Sequence, residues 1–333
     1  MPTEDPTESR IAVVIPCYRV TRHVLSIIAA IGPECRRIFA IDDGCPDKSG
    51  DFIETKCSDP RVIVVRHEKN LGVGAAMITG YLSALHEGHD VVVKIDGDGQ
   101  MDPSLLMDFV APILNRDADY TKGNRFYDIE TVRGMPRIRL IGNAFLSFMT
   151  KLSSGYWDIF DPTNGYTAIH HNALSQLPLK KLSKRYFFET DMLFRLNMLR
   201  AVVVDIPMMA RYGDEVSSLR ISRIIGEFFF KHLRNLGKRI FYNYYLRDVS
   251  VASFELPAGL LLMFFGVTFG SWHWFDSARA GIATPVGTVM LSALSSLMGL
   301  QLFLAFLAYD ISSVPRRALS QFQRSRAPIA LRE

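Results

Sequence analysis

The chain has 333 residues, 48% of them hydrophobic and 22% charged, with a net charge of +4 and a mean hydropathy of +0.12. It is too apolar for a disordered chain and long enough for one large domain plus a further segment. Four cysteines (Cys17, Cys35, Cys45 and Cys57) show no C-x-x-C spacing, which excludes a zinc ribbon or disulfide scaffold and fits a reducing compartment.

Residues 1–10 form a polar, acidic tail without the apolar run of a signal peptide, so this end is expected to stay in the cytoplasm. Short apolar runs follow at Ile11–Pro16, Arg37–Asp42, Arg61–His67, Asp90–Asp96 and Ala118–Arg125, with helical stretches between them such as Gly72–His86 and Pro103–Leu114. This alternation predicts an α/β domain over 11–218, a mostly parallel sheet with helices on both faces. Ligands of such sheets bind beyond the carboxyl ends of the strands, so the polar residues just after each strand carry the information.

Asp42-Asp43-Gly44 ends the second strand, Gly72-Val73-Gly74 follows the third, and Asp96-Gly97-Asp98-Gly99-Gln100 ends the fourth. The glycine pair is not a dinucleotide fingerprint, because Met77 stands where the third glycine belongs. Nor is the acidic run a calcium loop, since Met101 and Met107 replace its glycine and closing glutamate. No Walker A sequence occurs. Two carboxylates and an amide oxygen at alternate positions suit a hard divalent cation shared with a diphosphate; a solvated turn would also carry two such aspartates. Asp42 and Asp43 at the neighbouring strand end favour the site reading.

Residues 219–248 set apolar side chains at helical spacing among Arg and Lys, predicting basic amphipathic interfacial helices. Charge-poor runs over 254–275 and 285–310 approach the roughly 20 residues needed to span about 30 Å of hydrocarbon. Basic residues flank the pair on both outer sides and continue through a tail over 311–333, whereas the link carries one Arg and one Asp. The positive-inside rule then places both ends in the cytoplasm and predicts a two-helix transmembrane hairpin in the inner (plasma) membrane. A buried hairpin in a soluble core is the competing reading.

The segments VVIPCYRV, AIDDGCPDKSGD, EKNLGVGAAMITGY, VVKIDGDGQMDPSLL, TKGNRF and DPTNGYTAIH together resemble the family 2 glycosyltransferases of the GT-A fold. Among these the chain is similar to the membrane-anchored bacterial branch of the polyprenyl-phosphate glycosyltransferases, the dolichol-phosphate mannose synthase type. The resemblance implies transfer of a sugar from a GDP- or UDP-sugar to undecaprenyl or dolichyl phosphate with inversion, giving a lipid-linked monosaccharide for cell-envelope glycan or glycosylation. It implies that Pro16, Tyr18, Ile41, Asp43 and Asp42 line the nucleotide. Asp96, Asp98 and Gln100 would hold Mg²⁺ or Mn²⁺ on the diphosphate, with Gly97 allowing close approach. Arg125 and Arg211 would grip phosphate, and Asp161, Asn164, Gly165, Ser217 and Arg220 would border the sugar and acceptor. Asp98, Arg125, Arg211 and Asp191 are the residues expected to act in catalysis.

Two positions depart from the family pattern. Val20 replaces a glutamate after the tyrosine, and the lysine of the Arg-x-x-Gly-x-Ser-Lys motif is missing, with Arg220 its nearest substitute. Glu189 and Asp191 stand where other family 2 enzymes carry a base, yet an acidic helix start needs no function. The resemblance leaves membrane lipids as partners, no nucleic acid, and a homo-oligomer open. Three functions compete: the lipid-phosphate transferase, a family 2 enzyme acting on a sugar or lipid hydroxyl, and a membrane-bound scaffold of the same fold. A processive synthase is disfavoured because no Q-x-x-R-W sequence occurs.

Overall fold

The computed structural model describes residues 10–127, 137–209 and 221–322, and within these the side chains of 137–139 and 221–225 are not described. The chain forms two compact units, Met1–Leu236 with Pro315–Glu333, and Gly237–Val314.

In the first unit, β1 (Ile11–Cys17), β2 (Cys35–Asp42), β3 (Val62–Arg66), β4 (Val91–Lys94), β5 (Tyr120–Asn124), β6 (Thr167–His170) and β7 (Val203–Pro207) form one sheet in the order β3-β2-β1-β4-β6-β5-β7. All pairings are parallel except those of β6, which runs against both β4 and β5. The expected mostly parallel sheet is therefore present, with one inverted strand and with β7 added at the edge. Strand β1 is buried on both faces, as its unbroken apolar run requires. Ile11, Val13 and Ile15 share a core with α1 (Val24–Ala30), α2 (Ser49–Lys56) and α4 (Leu106–Leu114). On the other face lies α3 (Val73–His86), followed by α6 (His171–Gln176) and α7 (Phe188–Leu199). Gly80 of α3 lies against Val14, and a Cβ there would overlap the Val14 methyls. Helix α5 (Arg137–Ser154) packs beside α7, and α8 (Ile221–Phe241) joins them where Ser153 Oγ and His232 Nδ1 meet at 2.8 Å.

Strand β4 stops at Lys94, two residues before the expected end, so Asp96 and Asp98 occupy a loop turned at Gly99, whose φ is +80°. The last described residues also belong to this unit. Helix α11 (Leu319–Phe322) starts on the carboxylate of Asp119, which accepts the Leu319 amide at 2.9 Å and the Val202 amide at 2.8 Å. Burial pushes Asp119 up, against these backbone hydrogen bonds.

In the second unit, α9 (Val251–Ala280) and α10 (Val286–Ser312) are both long and apolar enough to cross a membrane. Helix α9 continues through most of the expected link. Glycines let the two helices touch: a Cβ on Gly266 would overlap Ser296 Oγ and stand 2.7 Å from the Ser292 carbonyl, and one on Gly299 would stand 2.6 Å from the Met263 amide. Small residues at the contact let the two helix backbones approach this closely. At the foot of α10, Asp310 takes a two-pronged hydrogen bond from Arg239 at 2.5 and 3.0 Å and another from Tyr244 at 2.6 Å.

Candidate functional site

The carboxyl ends of β1, β2, β4, β5 and β7 share one rim. Because β6 is antiparallel, its entry, Asp161 to Tyr166, arrives at that same rim, with Thr167 opposite both Lys94 and Lys122. The inverted strand thus brings D-P-T-N-G-Y beside D-x-D.

Asp96, Asp98 and Gln100 are all partly exposed on the loop after β4. Asp98 Oδ1 accepts the Gln100 backbone amide at 3.0 Å, which closes the loop on itself. Asp96 Oδ1 lies 3.1 Å from Lys94 Nζ. Its other oxygen lies against Gly165, where a Cβ would overlap it and stand 2.6 Å from Lys94 Nζ. Gly97 packs on Val20, whose side chain is buried in the core; the valine in place of the family's glutamate is thus a packing residue. Among the described residues no three His, Cys, Asp or Glu side chains gather as a closed metal cage. Two partly exposed carboxylates and one side-chain amide are a donor set that suits a hard cation held jointly with a diphosphate.

At β2, Asp42 and Asp43 are buried and occupied. Asp42 accepts the amides of Cys45 at 2.8 Å and Gly50 at 2.7 Å, which shapes the turn into α2. Asp43 meets His67 Nδ1 at 2.7 Å and accepts the amides of Leu71 at 2.9 Å and Gly72 at 2.7 Å. It ties the start of α3 to the rim, with Gly72 at φ +101°. Tyr18, just past β1, is 42% exposed at the rim, with the Arg19 guanidinium over its ring at 5.6 Å from the centroid. Pro16 pairs in register with Ile41, whose side chain is buried, so Ile41 offers the rim backbone only.

Arg125 does not stand open. Its Nε donates to Asp161 Oδ2 at 2.7 Å and its Nη2 to Asp161 Oδ1 at 3.1 Å and Thr163 Oγ1 at 3.3 Å. Burial opposes the Asp161 charge, but Arg125 and Lys122 hold its carboxyl below the ordinary range. Asn164 is buried; its side-chain oxygen accepts the Tyr166 amide at 2.9 Å and its carbonyl accepts Lys122 Nζ. Burial pushes Lys122 down to about 8 despite Asp161 and Glu189 nearby.

Helix α7 separates the two acids left open in the sequence. Asp191 Oδ2 accepts the Ser183 amide and Arg195 Nε, each at 3.0 Å, so Asp191 is engaged in anchoring the chain before α7. Glu189 Oε1 accepts Lys94 Nζ at 2.9 Å and thereby joins the Asp96 group. Burial alone would lower Lys94; Asp96 and Glu189 outweigh it and raise the ammonium above its ordinary range. Lys94 and Lys122 were not singled out from sequence, although a lysine inside V-V-V-K-I-D is the signal that could have found the first. Arg211, Ser217 and Arg220 lie outside the described residues.

The glycosyl transferase family 2 profile matches residues 12–177. The chain is 27% identical over 218 residues to a UDP-N-acetylglucosamine–dolichyl-phosphate N-acetylglucosaminyltransferase of Methanococcus voltae, covering 61% of this chain and 86% of that protein. It is 29% identical over 226 residues to an undecaprenyl-phosphate mannosyltransferase of Micrococcus luteus, covering 66% of this chain and 90% of that one. Among solved structures, glucosyl-3-phosphoglycerate synthase from Mycobacterium tuberculosis, in complex with Mn²⁺, UDP and glucosyl-3-phosphoglycerate, matches with a TM-score of 0.52 at 18% identity, over 70% of this chain and 80% of that chain. The same synthase is also known with Mg²⁺ and UDP. This last likeness is one of fold, the GT-A arrangement.

Proposed function

Because residues 12–177 place this chain in the glycosyl transferase family 2, it is a glycosyltransferase, and we propose that it moves a sugar from a nucleotide-sugar donor to a polyprenyl monophosphate with inversion. Relatives named for dolichyl-phosphate and undecaprenyl-phosphate acceptors support the acceptor class. The observation that carries the chemistry is the engagement of both α7 acids. Asp191 is held by Arg195 and Ser183, and Glu189 by Lys94, so neither is presented as a free general base. A hydroxyl acceptor needs such a base. A phosphate monoester is already anionic at neutral pH and can attack the anomeric carbon itself.

Tyr18 would stack on the nucleoside. Asp96, Asp98 and Gln100 would hold Mg²⁺ or Mn²⁺, which when bound supplies positive charge to the departing diphosphate. Arg125, held by Asp161, would grip phosphate, and Asp161, Asn164 and Gly165 would border the sugar. Arg211 and Arg220 remain proposed phosphate contacts on sequence grounds. Catalysis then rests on placing the acceptor oxygen in line and on charge neutralisation. The two apolar helices would cross the plasma membrane and keep the enzyme with its lipid substrate, the catalytic domain being cytoplasmic by the charge of the flanks.

The test is purified full-length protein with labelled UDP- and GDP-sugars and undecaprenyl phosphate, followed by extraction into organic solvent. Label should enter the organic phase with one donor, and Asp98→Ala should reduce it by at least 10²-fold while the protein stays folded. The rate of the chemical step should rise with ionisation of the lipid phosphate, near pH 6. Label that moves only to a hydroxyl acceptor would overturn the reading.

A further inference from the structure

Three adjacent strands bring Lys94 of β4, Thr167 of β6 and Lys122 of β5 into one row across the sheet; paired residues share a face. Lys94 is 1% exposed, and a buried ammonium is costly unless it is paired. One carboxylate would satisfy that need. Lys94 has two, Glu189 at 2.9 Å on the inner side and Asp96 at 3.1 Å toward the rim, with Glu189 13% and Asp96 28% exposed at the side chain. Two carboxylates against one ammonium leave the trio with a net negative charge. Glu189 therefore balances Lys94, so that Lys94 can grip one oxygen of Asp96 without cancelling the charge that a cation would meet. Gly165 closes the other side, since any Cβ there would collide with the free oxygen of Asp96.

We propose that Lys94 is a positioning residue for Asp96, with Glu189 as its counter-charge, and that this buried relay fixes the carboxylate in the orientation needed by the cation and donor diphosphate. The proposal rests on the reading that Asp96, Asp98 and Gln100 carry the cation. Net charge and orientation make opposite demands here. Removing Lys94 makes the group more negative, so charge alone would tighten cation binding, whereas loss of the grip would weaken it.

The experiment is calorimetric titration of Mn²⁺ with UDP, and separately with GDP, into the detergent-solubilised full chain, without turnover, beside thermal unfolding. Asp96→Asn comes first. If the unaltered protein shows no Mn²⁺-dependent nucleotide binding, or Asp96→Asn leaves it intact, the cation reading fails and this proposal with it. Lys94→Met with Glu189→Leu keeps the net charge of the trio and removes both buried partners. It should unfold near the temperature of the unaltered protein yet bind Mn²⁺–nucleotide 10–100-fold more weakly, the usual cost of losing an outer partner of a ligand. Binding within twofold of the unaltered protein would show that Lys94 is only an internal ion pair, and would overturn the proposal. Gly165→Ala, which alters no charge and presses on the same oxygen, supplies the answer if the double variant does not fold: at least a 10-fold loss is expected, and unchanged affinity overturns the proposal as well.

Discussion

Asp205 shows how one atom can set a pH dependence. Its Oδ2 accepts the Phe160 amide at 2.8 Å and Asn124 Nδ2 at 3.1 Å, whereas its buried Oδ1 has no hydrogen-bond partner. Burial raises its pKa to about 6, against the backbone hydrogen bond and Lys122. The folded protein therefore binds this proton more tightly than the unfolded chain does. From this group, stability is lowest above pH 6 and rises as pH falls from about 6 toward 4. Asp205→Asn should raise stability at pH 7.5 by on the order of 2 kcal/mol and flatten the curve between pH 4 and 6, as read by thermal unfolding at a series of pH values. Such a residue is not legible in sequence, where V-V-V-D-I-P shows an aspartate but not what lies against it. Asp96 and Asp98 were legible because they interrupt an apolar strand with a recognised spacing. Lys94 was hidden because the same apolar run absorbed it. Asp43 and Arg125 were located by motif, but their occupation by His67 and Asp161 depends on loops far away in the chain.

Elements were read where hydrophobic runs were long. The runs around β1 to β5 and the helix Val73–His86 stand within a few residues of their expected ends. Strand β6 is only four residues, T-A-I-H, too short for any periodicity, and the reversal it introduces is what carries D-P-T-N-G-Y to the D-x-D loop. In the hairpin, hydropathy located both helices but not their seam, which depends on which glycines and serines face each other. Gly266→Leu must displace Ser296 and the Ser292 backbone, and overpacking of this kind costs about 1–3 kcal/mol. A lower unfolding temperature in detergent is the expected result, with nucleotide binding by the first unit unchanged. Gly287, which has open space around its α-carbon, is the control position, and Gly287→Ala should be neutral.

At the scale of the whole molecule, the basic tail expected from 311 onward includes a segment, from Pro315, that belongs to the first unit. Ala318 is fully buried, Leu319 caps its short helix on Asp119, and Gln321 Nε2 donates to the Arg116 carbonyl at 2.7 Å. Cutting the chain after Asp248 therefore removes more than the hairpin. It leaves the buried Asp119 without the Leu319 and Ser320 amides, at a cost of about 1–3 kcal/mol, in addition to the lost packing of Ala318. Urea unfolding should show the truncated protein less stable than the same cut protein to which residues 315–322 are rejoined by a flexible linker. Equal midpoints would mean the segment adds nothing. The sequence shows no sign of this return, because eight ordinary residues among arginines carry no periodicity and their partner lies 200 positions away.

That separation also orders events during synthesis. At roughly 5–20 residues per second, Leu319 emerges about 10–40 s after Asp119 has left the ribosome. Throughout that interval the buried carboxylate lacks its cap, while the two apolar helices are made in between. The first unit is thus closed only after both apolar helices have been made, so a chain cut short anywhere within them leaves that unit with its last contact unmade.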